Sequence, residues 1–338
     1  RNAIINVVKF WLDKGVDGFR LDAVHTINGD TQPYENNLPN PNFSSGPLPS
    51  DQQPFFRQLH DGTQLNRPII QKFIKELRGV ADSYSNPRFL MGEVDGDNNT
   101  GIEVSDTFTQ PGHLHATYNF DLLEWGGLGV QEIKDAISKA VKVFNNTGRL
   151  SFTFSNHDVP RVATRQLKSL GLNAQQSYAM QLLLLKLEVC LIGSACIYQG
   201  EELALDDVKD IPIEKMQDPW GIEFSPSFLG RDTCRTPMVW KASEKNGGFS
   251  SAKTTWLPIS YSHLKKCGLD EAGRQGSIYR DFSSFLAWRK KQPALTNNNN
   301  MTQPTGGPKE IIFERKTTDQ TLRCIFDFEN LTSTFEEV

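Results

Sequence analysis

Apolar positions along the chain recur first with the period of a helix and then with that of a strand. Over residues 2–14, Ile4, Val8, Trp11 and Leu12 fall on one helical face, and Gly15 follows where a helix stops. Residues 16–22 then alternate. Gly18, Arg20 and Asp22 share one face and Phe19 and Leu21 the other, which predicts a strand with buried charge on one side and apolar bulk on the opposite one. The two periods keep exchanging. Helices are predicted over 69–82, 131–143, 174–189 and 278–291, and strands over 88–93, 118–121, 151–156 and 195–199. A polar stretch rich in Pro, Asn and Gly over 28–54 is too long for an idle connection and is expected to be functional or disordered.

Strands alternating with helices predict a parallel sheet, and ionisable residues at the carboxyl ends of successive strands favour a (β/α)8 TIM barrel over an open sheet. Five strands are read where a complete barrel needs about eight. The opening helix then precedes the fourth strand, so strands 4–8 are expected here. The predicted organisation is a partial α/β barrel over 1–295, a linker over 296–308 containing the 297–300 Asn run and Pro304-Thr305-Gly306-Gly307-Pro308, and the start of a C-terminal β domain over 309–338. The last opens with a hairpin of strands 310–316 and 321–328.

Composition adds exclusions. With 338 residues, 38% hydrophobic and 22% charged, the chain is an ordinary globular protein, and a net charge of −4 points to neither a nucleic-acid nor an anionic-membrane partner. The most apolar stretch, 178–198, contains Lys186 and Glu188 and is read as a buried helix followed by a strand, not a membrane span. Five cysteines without a C-x-x-C predict free thiols. Sequons at Asn42, Asn98, Asn145, Asn300 and Asn330 suit a secreted glycoprotein without fixing the compartment, and a cytoplasmic location is the favoured alternative. The chain opens with Arg1 directly into a helical pattern, as expected of the back portion of a longer protein.

Three carboxylates stand at predicted strand ends: Asp22, Glu93 and Asp158. Converging acids are costly to assemble unless something uses them. The chemistry that wants two carboxyls is glycoside hydrolysis, in which an ionised one attacks the anomeric carbon and a protonated one gives its proton to the leaving oxygen. Asp22 suits the first role because Arg20, two residues earlier on the same face, favours the ionised acid. Glu93 suits the second, since Met91 and Gly92 supply few polar neighbours and an apolar setting favours the protonated form. His157 and Asp158 have the groups to grip sugar hydroxyls and support positive charge.

At these segments the chain resembles the α-amylase superfamily (glycoside hydrolase family 13). The resemblance runs through Asp17-Gly18-Phe19-Arg20-Leu21-Asp22-Ala23-Val24, Gly92-Glu93-Val94, Ser155-Asn156-His157-Asp158 and Ile197-Tyr198-Gln199-Gly200-Glu201-Glu202-Leu203, in the family's order. It implies Asp22 as nucleophile, Glu93 as acid/base and Asp158 as transition-state stabiliser, with Arg20 and His157 assisting and the α configuration retained. Gln217-Asp218-Pro219-Trp220-Gly221-Ile222, Gly230-Arg231-Asp232-Thr233-Cys234-Arg235-Thr236-Pro237-Met238 and Gly248-Phe249-Ser250 look like exo-acting α-glucosidases, bacterial ones especially, in which Arg235 would help close the pocket around the terminal glucose. Val239 departs from the glutamine or proline of many relatives. Ala23, small, leans toward maltose-type linkages.

The resemblance also implies what this stretch lacks: the first motif and the excursion domain belong upstream of Arg1, so the chain by itself is expected to be inactive. No cofactor is assignable, and a calcium or magnesium site would also lie upstream. The expected partner is a small α-glucoside, such as a maltose-type oligosaccharide or sucrose. The rivals are a glucosyltransferase or sucrose isomerase with the same residues, a non-catalytic transporter-associated barrel ectodomain, and a sugar-binding module. His25, His60, His113 and His115 are read as surface or loop residues, Trp125 as a sugar-stacking or packed loop aromatic, and the Lys72-Lys75-Arg78 helix face as solvated.

Overall fold

The computed structural model describes residues 1–27, 68–95, 101–123, 126–145, 147–297 and 300–338. The polar stretch over 28–54, His60, Trp125 and the sequons at Asn42 and Asn98 lie outside the described residues. In chain order the main elements are helix α1 (Asn2–Asp13), strand β1 (Gly18–Leu21), α2 (Pro68–Asp82), β2 (Phe89–Gly92), α3 (Gly101–Phe108), β3 (Ala116–Tyr118), α4 (Val130–Phe144) and β4 (Leu150–Phe152). They continue with α5 (Val162–Leu170), α6 (Ala174–Cys190), β5 (Ser194–Ala195), α7 (Ile278–Arg289), β6 (Glu310–Lys316), β7 (Thr321–Asp327) and β8 (Thr332–Glu337). The residues gather into two compact units, 1–121 with 142–152, and 122–141 with 153–338.

In the first unit β1 to β4 pair in parallel, each with the next, as the alternation of strands and helices predicts. Val8 and Leu12 of α1 and Ile70, Ile74, Leu77 and Ala81 of α2 pack against Leu90, Val94, Phe108 and Leu114. The face predicted on α1 is only partly the buried one. Val8 and Leu12 are buried, whereas Ile4 and Trp11 are about half exposed, because the buried seam runs through Ile5, Val8 and Leu12 and the other two flank it.

The buried charge expected on β1 is also corrected. The Asp22 side chain is 80% exposed. The strand ends at Leu21, so Asp22 leaves the ladder for the following turn, where strand alternation no longer governs burial. Other strands end earlier than the pattern suggests for a related reason. Asn119 accepts the amide of Asp121, so that turn captures a residue that reads as strand, and Asn156, the last residue read as strand, instead opens a turn by accepting the amides of Asp158 and Val159.

In the second unit α6 is capped by a reciprocal Asn173–Gln176 pair and buries Met180, Leu183, Leu184, Leu187 and Val189, and a strand follows it as predicted, although β5 is only Ser194–Ala195 and not the predicted 195–199. Lys186 lays its ammonium over the Phe285 ring. Among the described residues no helix is long and apolar enough to cross a membrane. The predicted hairpin forms as β6 and β7, closed by Thr317 and Gln320, with Ile311, Phe313, Leu322, Cys324 and Phe326 buried. Strand β8, which the sequence pattern did not reveal, adds to β7 in antiparallel fashion.

Residues 300–308 are fastened rather than loose. Met301 and Thr305 bridge to Arg315 and Ile312, and Lys134 donates to the carbonyls of Gly306 and Gly307. All five cysteines are free thiols, four of them buried. Val239, the departure from the family pattern, is buried with Leu203, Leu205, Met238 and Cys267, a setting for an aliphatic side chain.

Gly92, the last residue of β2, packs so closely that a Cβ there would land on the Leu114 side chain and press on Val24 and Val94. Gly92→Ala is therefore expected to cost about 1–3 kcal/mol of stability, the usual range for overpacking. Urea unfolding at pH 7 measures this, with the exposed Gly79→Ala on α2 as the control that should lose nothing.

Candidate active site

Parallel pairing places Leu21 opposite Gly92, so Asp22 and Glu93 leave adjacent strands side by side. The exits are stitched together beyond the ladder: Glu93 donates its amide to the Leu21 carbonyl at 2.8 Å, and Val24 donates to the Glu93 carbonyl at 3.0 Å. Between them Ala23 takes a left-handed conformation (φ 37°, ψ 41°), which aims its amide at Glu93 Oε2, 3.2 Å away. A non-glycine residue held there carries backbone strain, and such strain clusters at functional sites.

Arg20 ties the two acids together. One terminal nitrogen contacts Asp22 Oδ1 and the other lies 2.5 Å from Glu93 Oε2, with the guanidinium 5.8 Å from the Tyr118 ring centroid. The sequence reading paired Arg20 with Asp22 only. Burial pushes the Glu93 carboxyl up to about 7, and the hydrogen bond with Asp22 reinforces it; the Ala23 amide and Arg20 pull the other way and do not prevail. The direction matches the sequence expectation. The cause includes a neighbouring acid as well as an apolar setting.

Three histidines read as surface or loop groups prove to brace backbone. His25 is buried beside the Glu93 carbonyl, His113 is buried against the Gln110 carbonyl, and half-buried His115 accepts the Leu90 amide. Burial lowers the His115 pKa. Nor is Arg78 merely solvated, since it binds Asp82 and the His113 carbonyl.

In the second unit His157, Asp158 and Arg235, which the sequence reading named separately, come together. Arg235 donates to Asp158 Oδ1 at 2.7 Å and to the His157 carbonyl at 2.6 Å, and His157 Nε2 lies 3.2 Å from Asp158 Oδ2. Sequence reasoning missed Arg231, although its motif was in view. Arg231 donates to Asp158 Oδ1 at 3.1 Å and grips Asp218 in a two-point pair of 2.8 and 3.1 Å, with its guanidinium 4.7 Å from the Trp220 ring centroid.

The Asp218 side chain is fully buried. Burial works against its ionisation, yet the side-chain and backbone hydrogen bonds of Arg231 outweigh it and hold the carboxyl below its ordinary range. Asp232 fixes the other side of this loop by accepting the amides of Gln217 and Asp218 at 2.5 and 2.9 Å. Gly230, at φ +67°, is required, since a Cβ would sit 2.7 Å from Asp218 Oδ2. Among the described residues no group of three or more His, Cys, Asp or Glu side chains is arranged to hold a metal ion.

Acids braced by arginines, and parallel strands joined through helices, are the features the family comparison bears on. Residues 1–298 match the alpha amylase catalytic domain, and the chain belongs to that family, whose catalytic domain is a (β/α)8 barrel followed by a β domain. Among curated relatives it is 36% identical over 338 residues to a probable alpha-glucosidase of Rhizobium meliloti (strain 1021), covering 99% of this chain and 59% of the relative. It is 26% identical to an oligo-1,6-glucosidase of Halalkalibacterium halodurans, covering 99% of this chain and 61% of the relative. Among solved structures, an alpha-glucosyl transfer enzyme superposes with a TM-score of 0.85 at 32% identity, over 97% of this chain and 58% of that one. The chain thus spans about six tenths of the length of the proteins it resembles.

Removing Arg231 would leave Asp218 buried without its cation. Arg231→Met is expected to cost about 3 kcal/mol, the low end for breaking a buried pair because the arginine itself is a quarter exposed. The stabilisation from Asp218 is present above the ordinary carboxyl range and lost as pH falls through its depressed value, so the deficit of the variant should shrink on acidification. Denaturant unfolding at pH 7 and pH 3 tests both; equal deficits at the two pH values would contradict the pairing.

Proposed function

We propose that the full-length protein containing this chain is a retaining exo-α-glucosidase that removes terminal glucose from short α-glucosides. The observation that carries this reading is the Arg20-linked pair of carboxyls, Asp22 exposed and Glu93 raised to about 7, at adjacent strand ends. Family membership and the relatives named as alpha-glucosidase and oligo-1,6-glucosidase support it.

In this mechanism the Asp22 carboxylate attacks the anomeric carbon while the bond to the leaving oxygen breaks and that oxygen takes the Glu93 proton. A β-glucosyl ester of Asp22 results. Glu93, now a carboxylate, removes a proton from water as its oxygen attacks the same carbon, and the ester bond breaks to release α-glucose and free Asp22. Asp158 supports the positive charge of the transition states. Arg20 orients Asp22 and Glu93, and His157 and Arg235 hold Asp158. Ala23 fits maltose-type α-1,4 substrates.

A second reading, glucosyl transfer to an acceptor hydroxyl in place of water, is favoured by the likeness to the alpha-glucosyl transfer enzyme. Chromatography of products formed from maltose with and without added acceptor separates the two.

In the full-length protein Asp22→Asn is expected to abolish turnover of aryl α-glucosides, and Glu93→Gln to slow poor leaving groups on the order of 10²–10⁴-fold. Near-wild-type rates in either variant would sink the assignment. Because the acid must carry its proton, kcat/KM should fall as pH rises through about 7, the level to which Glu93 is pushed. Proton NMR of the first glucose released should show the α anomer; initial β product refutes retention.

A further inference from the structure

The register of the parallel sheet sets a third residue level with the two acids. Leu21 of β1, Gly92 of β2 and Thr117 of β3 stand in one row, so Asp22, Glu93 and Tyr118 are the next residues of three adjacent strands. Arg20 pairs with Met91 and Met91 with Ala116, two residues before Tyr118, so strand alternation puts Arg20 and Tyr118 on the same face. From β1 the Arg20 side chain extends across β2. Its guanidinium lies 5.8 Å from the centroid of the Tyr118 ring, within cation–π reach.

The ring stands on a pinned stretch of backbone. Tyr118 pairs with Ser151 of β4, and the residues on either side of it donate to that strand's end: Thr117 to the Arg149 carbonyl at 3.1 Å and Asn119 to the Ser151 carbonyl at 2.8 Å. The guanidinium is the adjustable partner. One of its terminal nitrogens contacts Asp22 and the other lies 2.5 Å from Glu93, but the Asp22 side chain is largely exposed whereas that of Glu93 is not. Without a surface to rest on, a long flexible arginine would follow Asp22 toward water and leave Glu93, gaining side-chain entropy as it went.

We propose that Tyr118 is a positioning residue whose ring places the Arg20 guanidinium so that one cation holds Asp22 and Glu93 together. The consequence falls on the acid/base. Burial raises the Glu93 carboxyl to about 7 against the pull of the Ala23 amide and Arg20. A displaced guanidinium opposes burial less, and the carboxyl rises further. The other ionisable groups around Glu93 are Asp22, whose hydrogen bond also raises it, His25 at its carbonyl, and Asp95 two residues along the chain. None of these lies between the ring and Arg20 in the row of strands, so the ring acts on Glu93 through the arginine.

The effect on turnover rests on the proposed glycosidase reading; the placing of Arg20 does not. Tyr118→Leu and Tyr118→Met, two shapes without a ring so that loss of fold in one leaves the other, and Tyr118→Phe, which keeps the ring, are made in the full-length protein. The infrared carbonyl band of the protonated Glu93 carboxyl, identified by subtracting Glu93→Gln, is titrated from pH 5 to pH 9. The kcat/KM for an aryl α-glucoside is measured over the same range. In the ringless variants the band and the alkaline limb should both move up by about half a pH unit. Their kcat should fall about 5–30-fold, the rate equivalent of one cation–π contact, with KM unchanged. Tyr118→Phe should restore the wild-type band, limb and rate. A band unmoved in the ringless variants, or a Tyr118→Phe that behaves as they do, overturns the proposal. Adding Tyr118→Leu to Arg20→Met should shift the band no further than Arg20→Met alone; a further shift means that the ring acts on Glu93 directly and overturns it as well. A wild type that turns over no α-glucoside defeats the proposed function, and the infrared titration, which needs no substrate, still decides whether Tyr118 places Arg20.

Discussion

The register of β1 against β2 is the constraint on which the candidate site depends. With Leu21 opposite Gly92, the next residue of each strand is an acid, and the two acids leave neighbouring strands whose backbones lie about 4.8 Å apart in a sheet. A slip of one residue would send one acid to the opposite face. The register is held beyond the last ladder position by the Glu93 amide on the Leu21 carbonyl and the Val24 amide on the Glu93 carbonyl. The close packing of Gly92 on Leu114 adds a steric lock at the same level, where a larger residue would push the strand away from its neighbours.

Electrostatics at these strand ends is a balance between burial and one shared cation. Arg20 reaches both acids, and a guanidinium beside a carboxylate ordinarily lowers its pKa. For Glu93 the loss of water outweighs that effect, while Asp22 stays in contact with solvent. One arginine therefore serves two carboxyls of different character without making them alike. The strained Ala23 amide belongs to the same balance, since it offers Glu93 a donor that only the left-handed turn can supply.

Much of this was legible in the sequence because the period-two pattern of residues 16–22 and the repeated alternation of helix and strand are local signals. The hairpin of β6 and β7 was equally plain, with alternating burial over both strands. Strand β8 was not, because Thr332–Glu337 carries a single large apolar residue, Phe335, and takes its strand conformation from pairing with β7. The strand read through Asp121 was read too long because the Asn119 side chain captures the Asp121 amide. The roles of His25 and His113 as buried braces depend on partners distant in sequence or on turn geometry, which spacing alone does not encode.

Arg231 shows how a motif can be visible while its purpose is not. Asp218, Trp220, Gly230, Arg231 and Asp232 stand in two separate runs of sequence, and nothing local says that one run grips the other. The structure makes them one piece: Asp232 takes the amides of Gln217 and Asp218, Asp218 takes Arg231 in a two-point pair, and Trp220 covers the guanidinium. With two of its donor groups committed to buried Asp218, Arg231 presents its remaining terminal nitrogen to Asp158 in a fixed direction. Arg235, four residues on, reaches the same oxygen from a loop held by the same scaffold. The motif residues that do not touch Asp158 thus determine where its partners stand, since a flexible cation would lose side-chain entropy on every encounter that a pre-set one has already lost in folding.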